Sequence, residues 1–118
     1  DLCSVKPIDW KLIFSSIKKT GRLIVCDTGF KTCSVSAEII AEVSSELFNL
    51  LKAPPIRLAM HDVPEPTSFG LTKGFYTRAG DIALKCLQIM NMNTENVLNE
   101  LPEPVPHDVP GEWFKGPF

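Results

Sequence analysis

The sequence predicts an α/β fold, a three-layer α/β/α arrangement around a small, mostly parallel sheet. Three observations predict it. Three segments repeat apolar residues at helical spacing. Between them lie Leu23 to Cys26, an unbroken apolar run of the kind that marks a strand covered on both faces, and Ile56 to Met60, a second short strand that is apolar but for Arg57. The two kinds of segment alternate, which calls for helical crossovers between parallel neighbours. The expected order is strand, helix, strand, helix, strand, loop, helix, with a sheet of about three strands.

In order along the chain, Asp1-Leu2-Cys3-Ser4-Val5 reads as a short strand ended by Lys6-Pro7, because Pro7 biases Lys6 away from helix. A helix follows. Asp9 suits its N-cap, and Trp10, Ile13, Phe14 and Ile17 form one apolar face at i, i+3, i+4 and i+7. Lys18 and Lys19 sit at the negative end of its dipole, and Gly21 suits the position just past its end. The run Leu23 to Cys26 reads as a buried strand, with Cys26 in the core, and residues 28–34 as a loop. A longer helix opens on Ser34 or Ser36 and carries Ile39, Ile40, Val43, Leu47, Leu50 and Leu51 on one stripe until Pro54-Pro55 stop it. Residues 56–60 form the next buried strand, and residues 61–76, rich in Pro, Gly and charge, a connecting loop. The last helix starts at an Asp81 cap and turns Ile82, Cys86, Ile89 and Met90 inward.

Residues 1–90 therefore read as one domain. Residues 91–118 hold half of the ten prolines, which excludes a sheet centre or a long helix, and read as an extended tail. Trp113, Phe114 and Phe118 are a heavy apolar load for a free tail, so Trp113 and Phe114 are expected to insert into a groove on a neighbour.

Composition narrows the function. Apolar residues make up 44% and charged residues 22%, with net charge −2, so no basic stripe invites nucleic acid. No apolar run approaches the ~20 residues of a membrane span, and the first residues lack the basic start and apolar core of a signal peptide. The four cysteines, Cys3, Cys26, Cys33 and Cys86, are irregularly spaced and form no CxxC, which fits reduced thiols in a cytoplasmic protein and no zinc ribbon.

The two histidines each head a His-Asp-Val-Pro, at His61 and at His107. Together with Asp62 and Asp108 they have ligand types that suit zinc, but nothing in the sequence joins the two places, and His-Asp serves equally as a cap or turn. Cys26 or Cys33 with His61 would need an orienting third group and an oxyanion hole, and no local signature supplies either. The loop before the second helix has a single glycine and no phosphate-cradling motif. Asp27 and Glu38 lie near strand and helix ends, the edge where α/β sheets meet ligands and partners. Glu38 also favours the positive end of its own helix.

A set of short motifs occurs in a specific order: Asp1-Leu2, Pro7 with Asp9, Lys19 with Gly21-Arg22-Leu23, Ala37-Glu38-Ile39, Leu51 to Pro54, Asp62 with Pro64 and Pro66, then Tyr76. In that order and spacing the chain resembles the C-terminal domain of the beta subunit of thiamine-diphosphate-dependent 2-oxoacid dehydrogenases, a domain shared with transketolase and 1-deoxyxylulose-5-phosphate synthase. The resemblance covers residues 1 to about 90. It implies a fold that usually starts one strand and one helix earlier, so the chain is expected to lack the first β–α unit and to be a piece of a longer protein. An open sheet edge would follow, to be paired with a second copy or otherwise covered.

The resemblance also implies the function. The parent would decarboxylate a 2-oxoacid and pass the acyl group to lipoamide, with thiamine diphosphate and Mg held by other domains, and no cofactor, metal or catalytic residue is expected in this chain. Its role would be non-catalytic assembly. Glu38, Asp62, Pro64, Pro66, Tyr76, Trp113 and Phe114 are the expected contact residues. Expected partners are the alpha subunit or N-terminal domains of the parent, the dihydrolipoyl acyltransferase core and a second copy, with no nucleic acid or membrane. The alternatives are the same domain of a transketolase or deoxyxylulose synthase, or a free-standing α/β binding module.

Overall fold

In the computed structural model, described for residues 1–95, 107, 109 and 114–116, the first helix, α1 (Trp10–Thr20), forms as its caps dictate. Asp9 accepts a hydrogen bond from the Leu12 N–H (3.0 Å), meeting one of the helix's orphan donors. At the other end Gly21 takes the left-handed conformation (φ 69°), and its N–H donates to the Ile17 carbonyl at 2.7 Å. The chain divides into two units, residues 1–59 and 60–118.

The first unit continues with β1 (Ile24–Phe30), α2 (Val35–Leu47), a 3-10 turn at Phe48–Leu50, and β2 (Ile56–Met60). β1 and β2 are hydrogen-bonded neighbours in a two-stranded parallel sheet joined through α2. Two bonds set the approach of the chain to that sheet: Lys52 N–H to Gly21 O (2.8 Å) and Ile56 N–H to Leu23 O (3.0 Å). The core is Ile17 of α1 against Ile39, Val43 and Leu47 of α2, with Ile8, Trp10, Ile13, Phe14, Leu23, Val25 and Leu51 packed around them. The α2 residues are four apart, so one stripe faces one partner. Val43 is fully buried, and each such aliphatic side chain contributes about 1.5–3 kcal/mol on leaving water.

The α/β architecture, the Asp9 and Ser34 caps and the strand at 56–60 agree with the sequence. Several details differ. Residues 1–5 form no strand: they are exposed, and among the described residues the sheet has two members rather than about three. A strand's backbone groups need a neighbouring ladder, and this segment lies along none. β1 does not stop at Cys26 but runs on through Thr28-Gly29-Phe30. From Val25 onward its residues alternate between half-buried and exposed, so Cys26 faces solvent instead of the core. One face of β1 is covered, not both, and the run in β2 is half-buried throughout. The stripe of α2 ends at Leu47 because the tighter 3-10 turn rotates Leu50 outward, to 48% exposure, while Leu51 returns to the core.

In the second unit the connecting stretch contains a helical turn, α3 (Phe69–Thr72), that the sequence pattern did not predict. The last helix, α4 (Ala79–Ile89), begins at Arg78, and Asp81 is not its N-cap. Asp81 instead sits one turn in and reaches back to accept the Arg78 N–H at 2.7 Å, half of a capping box. Of its expected inner face, Ile89 is buried and Cys86 half-buried, but Ile82 and Met90 are exposed at 36% and 44%.

Two substitutions test this core. Gly21→Ala would place a Cβ 2.8 Å from Lys52 Cγ and 2.9 Å from the Leu50 carbonyl oxygen, at a backbone angle L-residues avoid. It is expected to cost about 1–2 kcal/mol or more in chemical denaturation. Val43→Ala is expected to cost about 2 kcal/mol, from two methyl-sized groups and the cavity they leave.

Candidate functional site

The β1–α2 junction is the most heavily bonded polar place in the first unit. Asp27 projects from β1, and its Oδ1 accepts the Gly29 N–H at 2.9 Å. Its Oδ2 accepts the Ser36 N–H at 3.1 Å, in the first turn of α2. Ser34 caps the helix, its Oγ accepting the Ala37 N–H (3.3 Å), and shares a 2.6 Å hydroxyl–hydroxyl bond with the buried Ser36. The Gly29 N–H bond, with the Ser36 and Ser34 bonds behind it, holds the Asp27 carboxyl below its ordinary range, against an opposing push from partial burial. Glu38, exposed in the first turn of α2, adds a second negative charge at the positive helix end.

This arrangement decides a chemical question. A helix start that follows a strand is where a diphosphate would be sought. Here the Ser36 and Ala37 N–H groups are already met by Asp27 and Ser34, and two carboxylates would repel an anion. The junction therefore does not fit a diphosphate cofactor. Among the described residues no three His, Cys, Asp or Glu side chains gather as metal ligands, so the magnesium of such a cofactor has no cluster there either.

The second place is the proline-rich loop of the second unit. Asp62 and Pro64 are exposed and Pro66 is half-buried. Tyr76 lies against this loop: its hydroxyl donates to Glu65 Oε1 at 2.7 Å, and its ring meets the buried Phe75 edge-on at 5.2 Å. The His61 ring lies over the other partner of that pair, Phe75, at 6.1 Å. His61 is thus an aromatic neighbour of Phe75. His107 likewise lies against a phenylalanine, Phe69, at 4.2 Å. Val63, Phe69 and Leu71 are exposed at 52, 57 and 70%.

The structure thus brings the Asp62–Pro66 loop and Tyr76 together through Glu65, and leaves Glu38 in the other unit. Phe114 is 43% exposed, with its ring where a Cβ on Gly116 would stand, and Trp113 lies outside the described residues, as does Asp108. Sequence reasoning missed Glu65 and Phe75, which carry no motif of their own. It weighed Asp27 as an edge carboxylate without seeing that its partners are backbone amides. The four cysteines stand as thiols rather than disulfides. No helix among the described residues is long and apolar enough to cross a membrane.

A parallel strand–helix–strand unit with its helix start sealed by a carboxylate, followed by an exposed proline-rich loop, defines a class of small α/β domain. The chain belongs to the transketolase C-terminal domain family, which matches residues 1–80. Among curated relatives it is 46% identical over 70 residues to the pyruvate dehydrogenase E1 component subunit beta of Mycoplasma pneumoniae, covering 59% of this chain and 21% of that protein. It is 42% identical over 66 residues to the corresponding subunit of Porphyra purpurea, covering 56% of this chain and 20% of the relative. With the mitochondrial beta-1 subunit of Arabidopsis thaliana it shares 41% over 73 residues, 62% of this chain and 20% of that protein. The matched stretch spans about a fifth of the length of these relatives.

Replacing Asp27 tests the junction. A carboxyl whose folded pKa is depressed adds stability above its unfolded pKa, near 4, and loses it as pH falls through the folded value. Asp27→Asn is expected to lower stability at pH 7 by about 1 kcal/mol, the net worth of a lost hydrogen bond. It should also flatten the fall in Tm below about pH 4 that the unaltered chain shows. A variant with the same Tm-against-pH curve would remove Asp27 from this role.

Proposed function

We propose that this chain is the C-terminal, non-catalytic assembly domain of the beta subunit of a thiamine-diphosphate-dependent 2-oxoacid dehydrogenase. The observation that carries the reading is the 37–46% identity to pyruvate dehydrogenase E1 beta subunits over the same stretch that the transketolase C-terminal family matches. The sealed junction at Asp27 supports it from the chemical side, because a domain that keeps its helix start for itself leaves the diphosphate and magnesium to other parts of the protein. The parent would decarboxylate a 2-oxoacid and hand the acyl group to lipoamide, and this domain would supply surface rather than reacting groups. Asp62, Pro64, Pro66 and Tyr76 would meet a partner from the loop, Glu38 from α2, and Trp113 and Phe114 from the tail. The alpha subunit, the dihydrolipoyl acyltransferase core and a second copy of the chain are the partners. In this reading the protein works in an aqueous compartment, the cytoplasm.

The Mycoplasma pneumoniae relative is about 330 residues long, since 70 residues make up 21% of it. The native gene product is expected to be of that size, by intact mass, and to carry the thiamine-diphosphate motif upstream of Asp1. In that full-length protein, Asp62→Lys with Tyr76→Ala should weaken association with the alpha subunit in sedimentation velocity while far-UV circular dichroism stays unchanged. A native product of 118 residues, or assembly indifferent to the double substitution, would overturn the proposal.

A further inference from the structure

His107 belongs to the stretch that follows α4, yet its side chain is committed to α3. Its Nε2 stands 2.7 Å from the carbonyl oxygen of Phe69 and 3.1 Å from Thr72 Oγ1. A carbonyl only accepts, so the proton is on Nε2 and His107 donates. The same carbonyl takes the Thr72 hydroxyl at 2.9 Å, which makes Phe69 O a shared acceptor at the open end of a single helical turn. The imidazole then lies against the Phe69 ring, centroids 4.2 Å apart and 45° tilted. A second attachment follows two residues on, where Arg78 Nη1 donates to the Val109 carbonyl at 3.3 Å.

We propose that His107 and Val109, beyond α4, form a strap held in cis, with His107 as its latch on α3 and the Arg78–Val109 bond as its second point. The occupant of the Phe69 ring and carbonyl is the chain's own His107. Two features support this occupant. The contacts combine two directional hydrogen bonds with a ring contact, and they engage backbone carbonyls, which side-chain drift does not move. Thr72 is only 5% exposed, so the latch closes on a fixed, buried hydroxyl rather than on a mobile surface group. The strap has a functional consequence. Phe69 is a large apolar residue left exposed at 57% on this unit, a ring that a protein partner could take up. A partner that uses the Phe69 ring and carbonyl has to lift His107 first, so His107 sets a threshold for access to them. This consequence rests on the assembly role proposed above; the strap itself does not.

Hydrogen exchange read by mass spectrometry on the full 118-residue chain tests it. His107→Ala is expected to speed exchange in two peptides at once, the one spanning the tail and the one spanning residues 69–76. The increase should be roughly threefold to tenfold, the worth of one or two net hydrogen bonds. Arg78→Met, which keeps the apolar stem and removes the donor, should speed the tail peptide alone. Peptides of the first unit should not change in either variant, which separates release of the strap from unfolding. The protection should also survive strong dilution, because a cis contact does not depend on concentration. Unchanged exchange in both variants would overturn the latch, and protection that disappears on dilution would replace it with a contact between copies. Either result leaves the assembly proposal standing, and loss of assembly with the strap intact leaves the strap standing.

Discussion

The carboxylate of Asp27 ties two backbones that would otherwise be joined only by a short loop. One oxygen takes the Gly29 N–H within β1 and the other takes the Ser36 N–H at the start of α2. That fixes where the helix begins relative to the strand. Once the first turn is set, the four-residue spacing of Ile39, Val43 and Leu47 carries one stripe down the helix onto Ile17 of α1. A shift of the helix start by one residue would rotate that stripe by about 100° and uncover the core. The two-stranded sheet is marginal alone, so it depends on this helix pair for its cover. The Asp27 and Ser34 bonds take the Ser36 and Ala37 N–H groups of α2, which ties the stability of the junction to its lack of fit for a phosphate.

The second unit is organised by aromatic rings and a few directed bonds instead of an aliphatic stripe. Phe75 is its buried ring, met by Tyr76 on edge and by His61 at a tilt. Tyr76 holds the proline loop through Glu65. Prolines at 64 and 66 restrict the loop backbone before any contact forms, so little further entropy is lost in presenting it as a surface. The two histidines that each head a His-Asp-Val-Pro, His61 and His107, both lie against a phenylalanine, Phe75 and Phe69.

Membership of the transketolase C-terminal family rests on the first 80 residues. The motifs at Asp9, Lys19 to Leu23, Ala37 to Ile39 and Leu51 to Pro54 are caps, ends and connections of α1, α2 and β2. Each of them performs a local structural task, which says more about the fold than about the reaction. The surface residues carry the proposed contacts without any such local signature, so the candidate site was legible only as positions. Its actual partners, Glu65 for Tyr76 and Phe69 for His107, come from far along the chain.

The sequence by itself determined what is decided within a turn or two of helix. Asp9, Ser34 and Gly21 set helix ends because a cap is met or missed by neighbours three residues away. The apolar periods of residues 10–17 and 39–47 set which faces turn inward. Tertiary structure decided the rest. Leu23 to Cys26 looked like a strand covered on both sides, but only one face of β1 found a cover, so Cys26 and Phe30 face water. Residues 1–5 had strand-like composition but no ladder beside them. Asp81 looked like a cap and became the residue that answers one, because the register of α4 starts at Arg78. Burial and strand pairing depend on what else arrives at a surface, and no stretch of sequence contains its own neighbour.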